Sequence, residues 1–470
     1  MNPIKFGTDG WRAVIAEDFT VDNVLRVASA TAEWIRATQP HSSVVIGYDC
    51  RFGSRMFAEW TARMMAYRGV HVYLSDRIVT TPMVSLATRK LGASAGVVIT
   101  ASHNPPSYNG FKIKGYFGGP ALPDMIADIE KRIPPHVDRH LPTLTDLCNS
   151  GTITIVDIHT PYLHHAQTHL DIENIRQSTM RFAYDAMHGA GQFIMKDLLP
   201  EINCHRCTLD PNFGGISPEP IPANVSSLAD YLIRHPADTT IITDGDADRI
   251  AMMDGNGRFV DSHHIILLLL LYYVKYMGQK GKVAVSFSCS HKIEQFCRKY
   301  QLPFEYTKIG FKYLVPYLLE DASNCLIAAE ESGGIAVRTH IPERDGIWIG
   351  LILWEFMARR QRTLDELIAE VYDEVGTFYF HRESLHLSEH QKQHVMEAVA
   401  KGRIRSIGQH SIRKIESLDG YKIWLGPDRW VMIRPSGTEP VLRLYAEGPD
   451  RITTNDMLHA LREVVLQESK

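Results

Sequence analysis

Four polar runs in this chain carry side chains suited to phosphate, metal or sugar chemistry. In TASHNPPSYNGFKI (100–113), Ser102 directly follows a β-rich run and precedes His103, Asn104 and Pro105. A serine on a loop shaped by Asn-Pro-Pro suits a nucleophile or a phosphoryl carrier; the plainer reading is a turn in which Ser102 and Asn104 cap a helix. No G-x-S-x-G surrounds it, which speaks against a hydrolase elbow. In DGDADRIA (244–251), Asp244, Asp246 and Asp248 alternate immediately after an apolar run. Three carboxylates so close repel one another unless a hard cation organises them, and oxygen ligands suit Mg²⁺ or Ca²⁺. Gly245 allows a tight turn and Arg249 can reach an anion beside the metal. An EF-hand is disfavoured, because no glutamate occupies its twelfth position; a solvated acidic turn is the alternative.

AEESGG (329–334) offers Glu330, Glu331 and Ser332, a set able to hydrogen-bond vicinal sugar hydroxyls or simply to cap a helix. RPSGTEPVLRLYAE (434–447) reads as a phosphate cradle. Arg434 supplies a bidentate fork, Ser436 and Thr438 supply hydroxyls, Gly437 opens backbone N–H groups, and Arg443 adds a second guanidinium. It lacks the Walker pattern, and a polar hairpin turn is the plainer alternative. Arg12 in FGTDGWR, Arg51 with Ser54 in YDCRFGS, and Lys308 with Lys312 in TKIGFKYL are further candidates to face a site. Lys112, ten residues after Ser102, could polarise a bridging oxygen. His386, His390 and His394 have i,i+4 spacing and read as an exposed helical face.

The elements that must position these residues alternate short β-rich runs with longer helical stretches, an α/β pattern. Strands are expected at 44–49, 70–75 and 96–100, then at 180–185, 203–210 (the weakest) and 239–244, then at 282–288, 303–309 and 325–330. Each group of three ends in one of the first three polar loops. A threefold repeat of this kind implies three similar α/β domains whose loops converge on one cleft. The last region differs: two strands flank the 434–447 turn and a helix spans 455–468, an α+β domain. The boundaries expected are 1–150, 151–254, 255–372 and 373–470.

The chain has 470 residues, of which 44% are hydrophobic, enough for several cores. Its formal charge of -4 gives no whole-chain attraction to nucleic acid or anionic membrane. The apolar run Ile265–Val274 is about half the length of a bilayer span and reads as a buried core helix. Seven cysteines, an odd and sparse set, fit a reducing compartment; with no signal-peptide pattern at the N-terminus, a cytoplasmic protein is expected. Cys204 and Cys207 form an isolated C-x-x-C, and no second pair completes a tetrahedral zinc site.

Taken together, FGTDGWR, TASHNP, DGDADR, EESGG and RPSGTEP resemble the α-D-phosphohexomutase superfamily, the phosphoglucomutase and phosphomannomutase group. The resemblance implies three related α/β domains and a C-terminal α+β domain around a central cleft. It implies that Ser102 carries the phosphoryl group and that Asp244, Asp246 and Asp248 hold Mg²⁺ together with a phosphate oxygen on Ser102. Glu330, Ser332 and Lys308 would contact the sugar, while Arg434, Ser436, Gly437, Thr438 and Arg443 would bind the substrate's own phosphate. His103, Lys112, Arg12 and Arg249 would complete the catalytic set. The expected activity is that of a phosphoglucomutase working through glucose 1,6-bisphosphate as intermediate and activator. The EESGG loop and the Gly310–Lys312 element look glucose-preferring. The alternatives are phosphomannomutase or dual activity and, from another class, a non-catalytic sugar-phosphate-binding protein. The expected partner is a hexose phosphate, with no nucleic acid or membrane, and the chain is expected to be a monomer or homodimer.

Overall fold

The computed structural model describes residues 4–39, 42–320, 324–436 and 441–469. Gly437 and Thr438 of the phosphate cradle lie outside the described residues. The chain forms two compact units, Met1–Gly281 with Gly310–Ile368, and Lys282–Ile309 with Ala369–Lys470.

In the first unit, one sheet runs in the order Trp11–Val14, Tyr108–Gly115, Ala95–Ile99, Ser43–Tyr48, His71–Ser75 and Ile153–Val156. Its centre is parallel, and residues of Ala95–Ile99 are buried throughout, as expected of strands covered on both faces. The helices that cover it begin at clear sequence signals. Thr20 accepts from the Asn23 N–H ahead of Val21–Thr38, and Thr80 accepts from the Met83 N–H, with Pro82 in the first turn of Thr81–Lys90. A second sheet runs Phe259–Val260, Ile250–Asp254, Thr239–Thr243, Phe182–Asp185, Asn203–His205. Cys325–Ala329 and Ile335–Val337 form a further antiparallel pair.

Each of the first three polar loops therefore joins two antiparallel neighbours. Residues 100–107 link Ala95–Ile99 to Tyr108–Gly115, residues 244–249 link Thr239–Thr243 to Ile250–Asp254, and residues 330–334 link Cys325–Ala329 to Ile335–Val337. A hairpin fixes the loop at both ends, so its side chains are held more tightly than on an open strand-to-helix connection.

The run Ile265–Val274 is buried, as its composition requires. The helix Ser262–Leu270 continues into a π-helical stretch, Leu271–Tyr276, and the Tyr272 hydroxyl donates to Glu355 at 2.7 Å. Among the described residues no helix is long and apolar enough to cross a membrane. The expected strand 203–210 shortens to Asn203–His205, because Arg206 adopts a left-handed φ of 44° that ends extended pairing. His386 closes a strand, Tyr379–His386, so only His390 and His394 share a helix, Glu389–Ala400.

The second unit contains the parallel pair Lys282–Ser286 and Phe304–Thr307 and an antiparallel sheet in the order Tyr379–His386, Val441–Gly448, Arg429–Pro435, Tyr421–Gly426, Lys414–Glu416. The helix Arg451–Glu468 packs Met457, Leu458, Leu461 and Val465 into the core of that sheet. Arg434 and Arg443 face each other across neighbouring strands.

In the first unit, Trp354 is fully buried in the helix Gly346–Arg360 and stacks on Phe182 with ring centroids 4.7 Å apart. Trp354→Ala should cost about 3–5 kcal/mol, seen as a clear fall in the denaturation midpoint; an unchanged midpoint would show that this packing contributes little.

Candidate active site

Ser102 lies where a strand end, a strained turn and an aspartate loop meet. It is buried and holds φ at 53°, a conformation costly for a residue with a Cβ, so the surroundings must enforce it. The enforcing groups are Asp49 and Arg51. Asp49 accepts from the Thr100 hydroxyl at 2.6 Å, and Thr100 Oγ1 accepts the Ser102 N–H at 2.9 Å. The Arg51 guanidinium donates to the carbonyls of Ser102 and Asn104, both at 2.7 Å, and to those of Pro105 and Tyr108 at 2.8 and 3.1 Å. Arg51 thus does not face a ligand; it lies beneath the loop and ties it down.

From the opposite side, the Ser102 hydroxyl donates to Asp244 Oδ2 at 2.6 Å. Gly245 comes so near that a Cβ there would stand 2.6 Å from the Ser102 carbonyl oxygen, which explains a glycine at this position. Asp244, Asp246 and Asp248 are all fully buried, and one carboxylate oxygen from each lies within 4.8 Å of the others. Oδ1 of Asp246 and Oδ1 of Asp248 are buried without a hydrogen-bond partner. Unpartnered buried carboxylate oxygens are costly, and a divalent cation bound by oxygen ligands would satisfy them. The donor set fits Mg²⁺.

Lys112 supplies the balancing charge. Its ammonium stands 2.7 Å from Asp246 Oδ2, 2.7 Å from Asp248 Oδ2 and 2.9 Å from Asp9 Oδ2, with no solvent exposure. Burial opposes its charge, but the carboxylates of Asp246, Asp248 and Asp9 outweigh burial and raise its pKa, so it stays an ammonium. Burial likewise works to raise Asp246, yet Lys112 and the Thr81 hydroxyl, 2.5 Å away, hold that carboxyl below its usual range. Among the described residues Asp244 makes no such ion pair. Burial, reinforced by Asp246 and Asp248, pushes its pKa well up.

Arg12 donates to Asn104 at 2.7 Å and lies 3.5 Å from His103 Nδ1; that same nitrogen is 3.5 Å from Ser102 Oγ. Desolvation, then Arg249 and Arg12, hold the His103 pKa well below its ordinary value, so its imidazole is neutral. Arg249 donates its N–H to Asp244 at 3.1 Å. Glu330 is buried and accepts the Gly310 N–H at 3.0 Å; desolvation raises its pKa to about 7. Ser332 is half-buried on the same loop.

Sequence reasoning did not single out Asp9 or the segment Glu343-Arg344. Arg344 is buried, pairs with Asp9, and stands 2.7 Å from Asp248. Glu343 pairs with Lys114 at 2.7 Å and accepts from Ser85 at 2.8 Å. The available signal was a dense charge run, PERDG at 342–346, directly before an apolar helix. In the second unit, Arg434 pairs with Asp419 at 3.2 Å, the Ser436 N–H donates to Val441, Arg443 is half-buried, and Lys308 is exposed.

Because Arg51 holds the serine loop without touching a ligand, Arg51→Met should lower kcat by about 100-fold with little change in KM. Steady-state kinetics beside a melting curve would check this; a lower midpoint with unchanged kcat would make Arg51 purely structural.

Family models described as phosphoglucomutase/phosphomannomutase alpha/beta/alpha domains I, II and III match residues 3–136, 160–257 and 261–375, and the C-terminal domain model of the same family matches 388–464. A phosphoglucosamine/phosphogalactosamine mutase of Sulfurisphaera tokodaii is 27% identical over 98% of this chain and 98% of its own. A phosphoglucomutase/phosphomannomutase of Thermococcus kodakarensis is 28% identical over 94% of each chain. The crystal structure of a "putative phosphomannomutase" from Thermus thermophilus matches with a TM-score of 0.87 at 30% identity, covering 99% of both chains. With four family segments matched in order and the buried serine and aspartate loops in hydrogen-bond contact, this chain belongs to the phosphoglucomutase/phosphomannomutase family of the α-D-phosphohexomutase superfamily.

Proposed function

We propose that this chain interconverts the 1- and 6-phosphates of glucose and of mannose, carrying the phosphoryl group on Ser102 and passing through a bound hexose 1,6-bisphosphate. The observation that carries the reading is the 2.6 Å contact between the Ser102 hydroxyl and a fully buried three-aspartate cluster. A phosphoryl group on that hydroxyl would sit against Asp244, Asp246 and Asp248, the residues that would hold Mg²⁺. When bound there, the ion offsets the negative charge of the transferring phosphoryl group.

The chain's own residues account for the rest. The bond from phosphorus to Ser102 Oγ breaks as a bond to the free sugar hydroxyl forms, and the hydroxyl proton must leave. Lys112 cannot accept it, being held as an ammonium by three carboxylates. His103 is neutral and its Nδ1 lies 3.5 Å from Ser102 Oγ, on the serine side of phosphorus, so it is placed to take the serine proton when Ser102 attacks in the second half, while the attacking sugar hydroxyl passes its proton to an oxygen of the transferring phosphoryl group. Arg12 and Arg249 add positive charge around the phosphoryl oxygens. Glu330 and Ser332 accept from sugar hydroxyls, with Lys308 an additional sugar contact. Arg434, Ser436, Gly437, Thr438 and Arg443 bind the phosphate that is not being transferred.

Support for neutral hexoses comes from the 30% identical Thermus protein and the Thermococcus relative, both named for phosphomannomutase activity. A second reading, a phosphoglucosamine mutase, is favoured by the names of several relatives of 27–29% identity. Comparing kcat/KM for glucose, mannose and glucosamine phosphates, each with a trace of its bisphosphate, separates the readings. Dominance of the amino sugar would replace the first by the second.

Ser102→Ala should lose turnover by several orders of magnitude while still binding hexose phosphate, and intact-mass measurement of the parent protein should show roughly 80 Da on Ser102; near-normal turnover of the variant would overturn the carrier role. Glu330 should also leave a pH signature. Its carboxyl is half ionised at about pH 7, and only the ionised form accepts from two sugar hydroxyls at full strength. KM should therefore fall as pH rises through about 7, and Glu330→Gln should flatten that dependence.

A further inference from the structure

We propose that Asp419 is a positioning residue: it orients the Arg434 guanidinium for the substrate phosphate that is not being transferred, and it fixes that guanidinium to the backbone carrying Lys308. Asp419 accepts from two donors on different segments of the second unit. Its Oδ1 takes the Arg434 Nε–H at 3.2 Å, and its Oδ2 takes the Ile309 N–H at 2.9 Å. Both side chains of the ion pair are half-buried. The inference rests on the reading of Arg434 as a phosphate ligand.

The local backbone is built to bring this carboxylate close. Where Tyr421–Gly426 pairs with Arg429–Pro435, Tyr421 stands opposite Ile433, so Gly420 comes level with Arg434. Gly420 holds φ at 85°, and a Cβ there would lie 2.4 Å from the Ile433 carbonyl oxygen and 3.1 Å from both Cα and Cβ of Arg434. Glycine alone fits, and the Asp419-Gly420 turn is thereby packed directly against the arginine. Along the strand, Trp430, Met432 and Arg434 share one face. Trp430 and Met432, with Tyr445, form a buried cluster with Phe287 and Ile309. The segment that ends in Lys308 and Ile309 therefore covers the face from which Arg434 projects. Lys422, fully buried on the neighbouring strand, lies over the rings of Phe287, Tyr306 and Trp430 at 4.8, 4.8 and 4.3 Å and holds the covering segment in place.

Arg434 stands directly opposite Arg443 on the next strand, so two guanidinium side chains share a face and repel one another. A carboxylate hydrogen-bonded to one of them offsets that repulsion and sets its plane before a ligand arrives. Without the carboxylate, a long side chain would have to be immobilised at each binding event, at an entropic cost. The second bond adds a distance constraint. Because the Ile309 N–H ties the carboxylate to the chain one residue after Lys308, the phosphate fork and the sugar contact keep a fixed separation. Both bonds require a carboxylate: asparagine has one acceptor oxygen and would aim its NH₂ at the other donor.

The test is steady-state kinetics on the best of glucose, mannose and glucosamine 1-phosphates, with its bisphosphate saturating. The full-length parent, Asp419→Asn, Arg434→Met and the double variant are compared, each beside a melting curve. A phosphate that does not react is held alike in the ground and transition states, so the loss falls on KM. Asp419→Asn should raise KM about tenfold, the cost of immobilising a freed arginine, with kcat within about threefold of the parent. Arg434→Met should raise KM about 100-fold, and adding Asp419→Asn to it should cost less than about a further twofold. Asp419→Ala, which removes both acceptors without aiming an amide at either donor, should match Asp419→Asn and replaces it if that variant does not fold. Unchanged KM in the Asp419 variants, or the same rise in KM on top of Arg434→Met, would overturn the positioning role and leave the phosphate reading standing. Loss confined to kcat with a lowered midpoint would make Asp419 purely structural. Unchanged KM in Arg434→Met would overturn the phosphate reading itself, and the positioning role with it.

Discussion

Lys112 holds its ammonium where no water reaches it, between Asp246, Asp248 and Asp9, and the first unit is organised around that balance of buried charge. Four carboxylates, those three and Asp244, would not tolerate one another in a dry interior. Lys112 and Arg344 neutralise part of that charge, while burial and the neighbouring carboxylates push the Asp244 pKa up. Removing one partner from such a set typically costs about 3–5 kcal/mol, because an uncompensated buried charge remains. The cluster is therefore a poor device for stability and a good one for holding a site that a divalent cation would complete.

The same balance ties sequence-distant segments together. Asp9 comes from the FGTDGWR segment, Lys112 from the strand after the serine loop, the three aspartates from the second sheet's hairpin, and Arg344 from the PERDG turn. Thr81 adds a contact from the helix Thr81–Lys90, both through its hydroxyl and through its N–H, which donates to the Asp246 carbonyl. The serine loop is thus gripped from two sides, by Asp49 and Arg51 below and by Asp244 and Gly245 above. That double restraint explains how Ser102 can hold a left-handed conformation.

Chemical roles divide along the same lines. Groups held charged by neighbours, Lys112 and Arg344, can stabilise charge but cannot exchange protons near neutral pH. Burial keeps the His103 imidazole neutral, whereas Glu330, raised to about 7, is the group whose ionisation changes within a physiological pH range.

By itself the sequence determined the class of fold and the recurrence of three polar loops after apolar strands, because local spacing and residue type carry that information, and it offered Ser102, Asp244, Asp246, Asp248 and Lys112 as candidates that the structure brings into one buried cluster. It also placed the core helix around Ile265–Val274, since an apolar run of that length must be buried. Tertiary structure alone decided that Arg51 supports the serine loop instead of facing a ligand, that Asp9 and Arg344 complete the charge balance, and that His386 falls outside the helix of His390 and His394. The physical reason is common to these cases. Charge compensation and backbone handedness depend on what lies within a few ångströms in space, and residues 9, 112, 248 and 344 become neighbours only after the chain has folded.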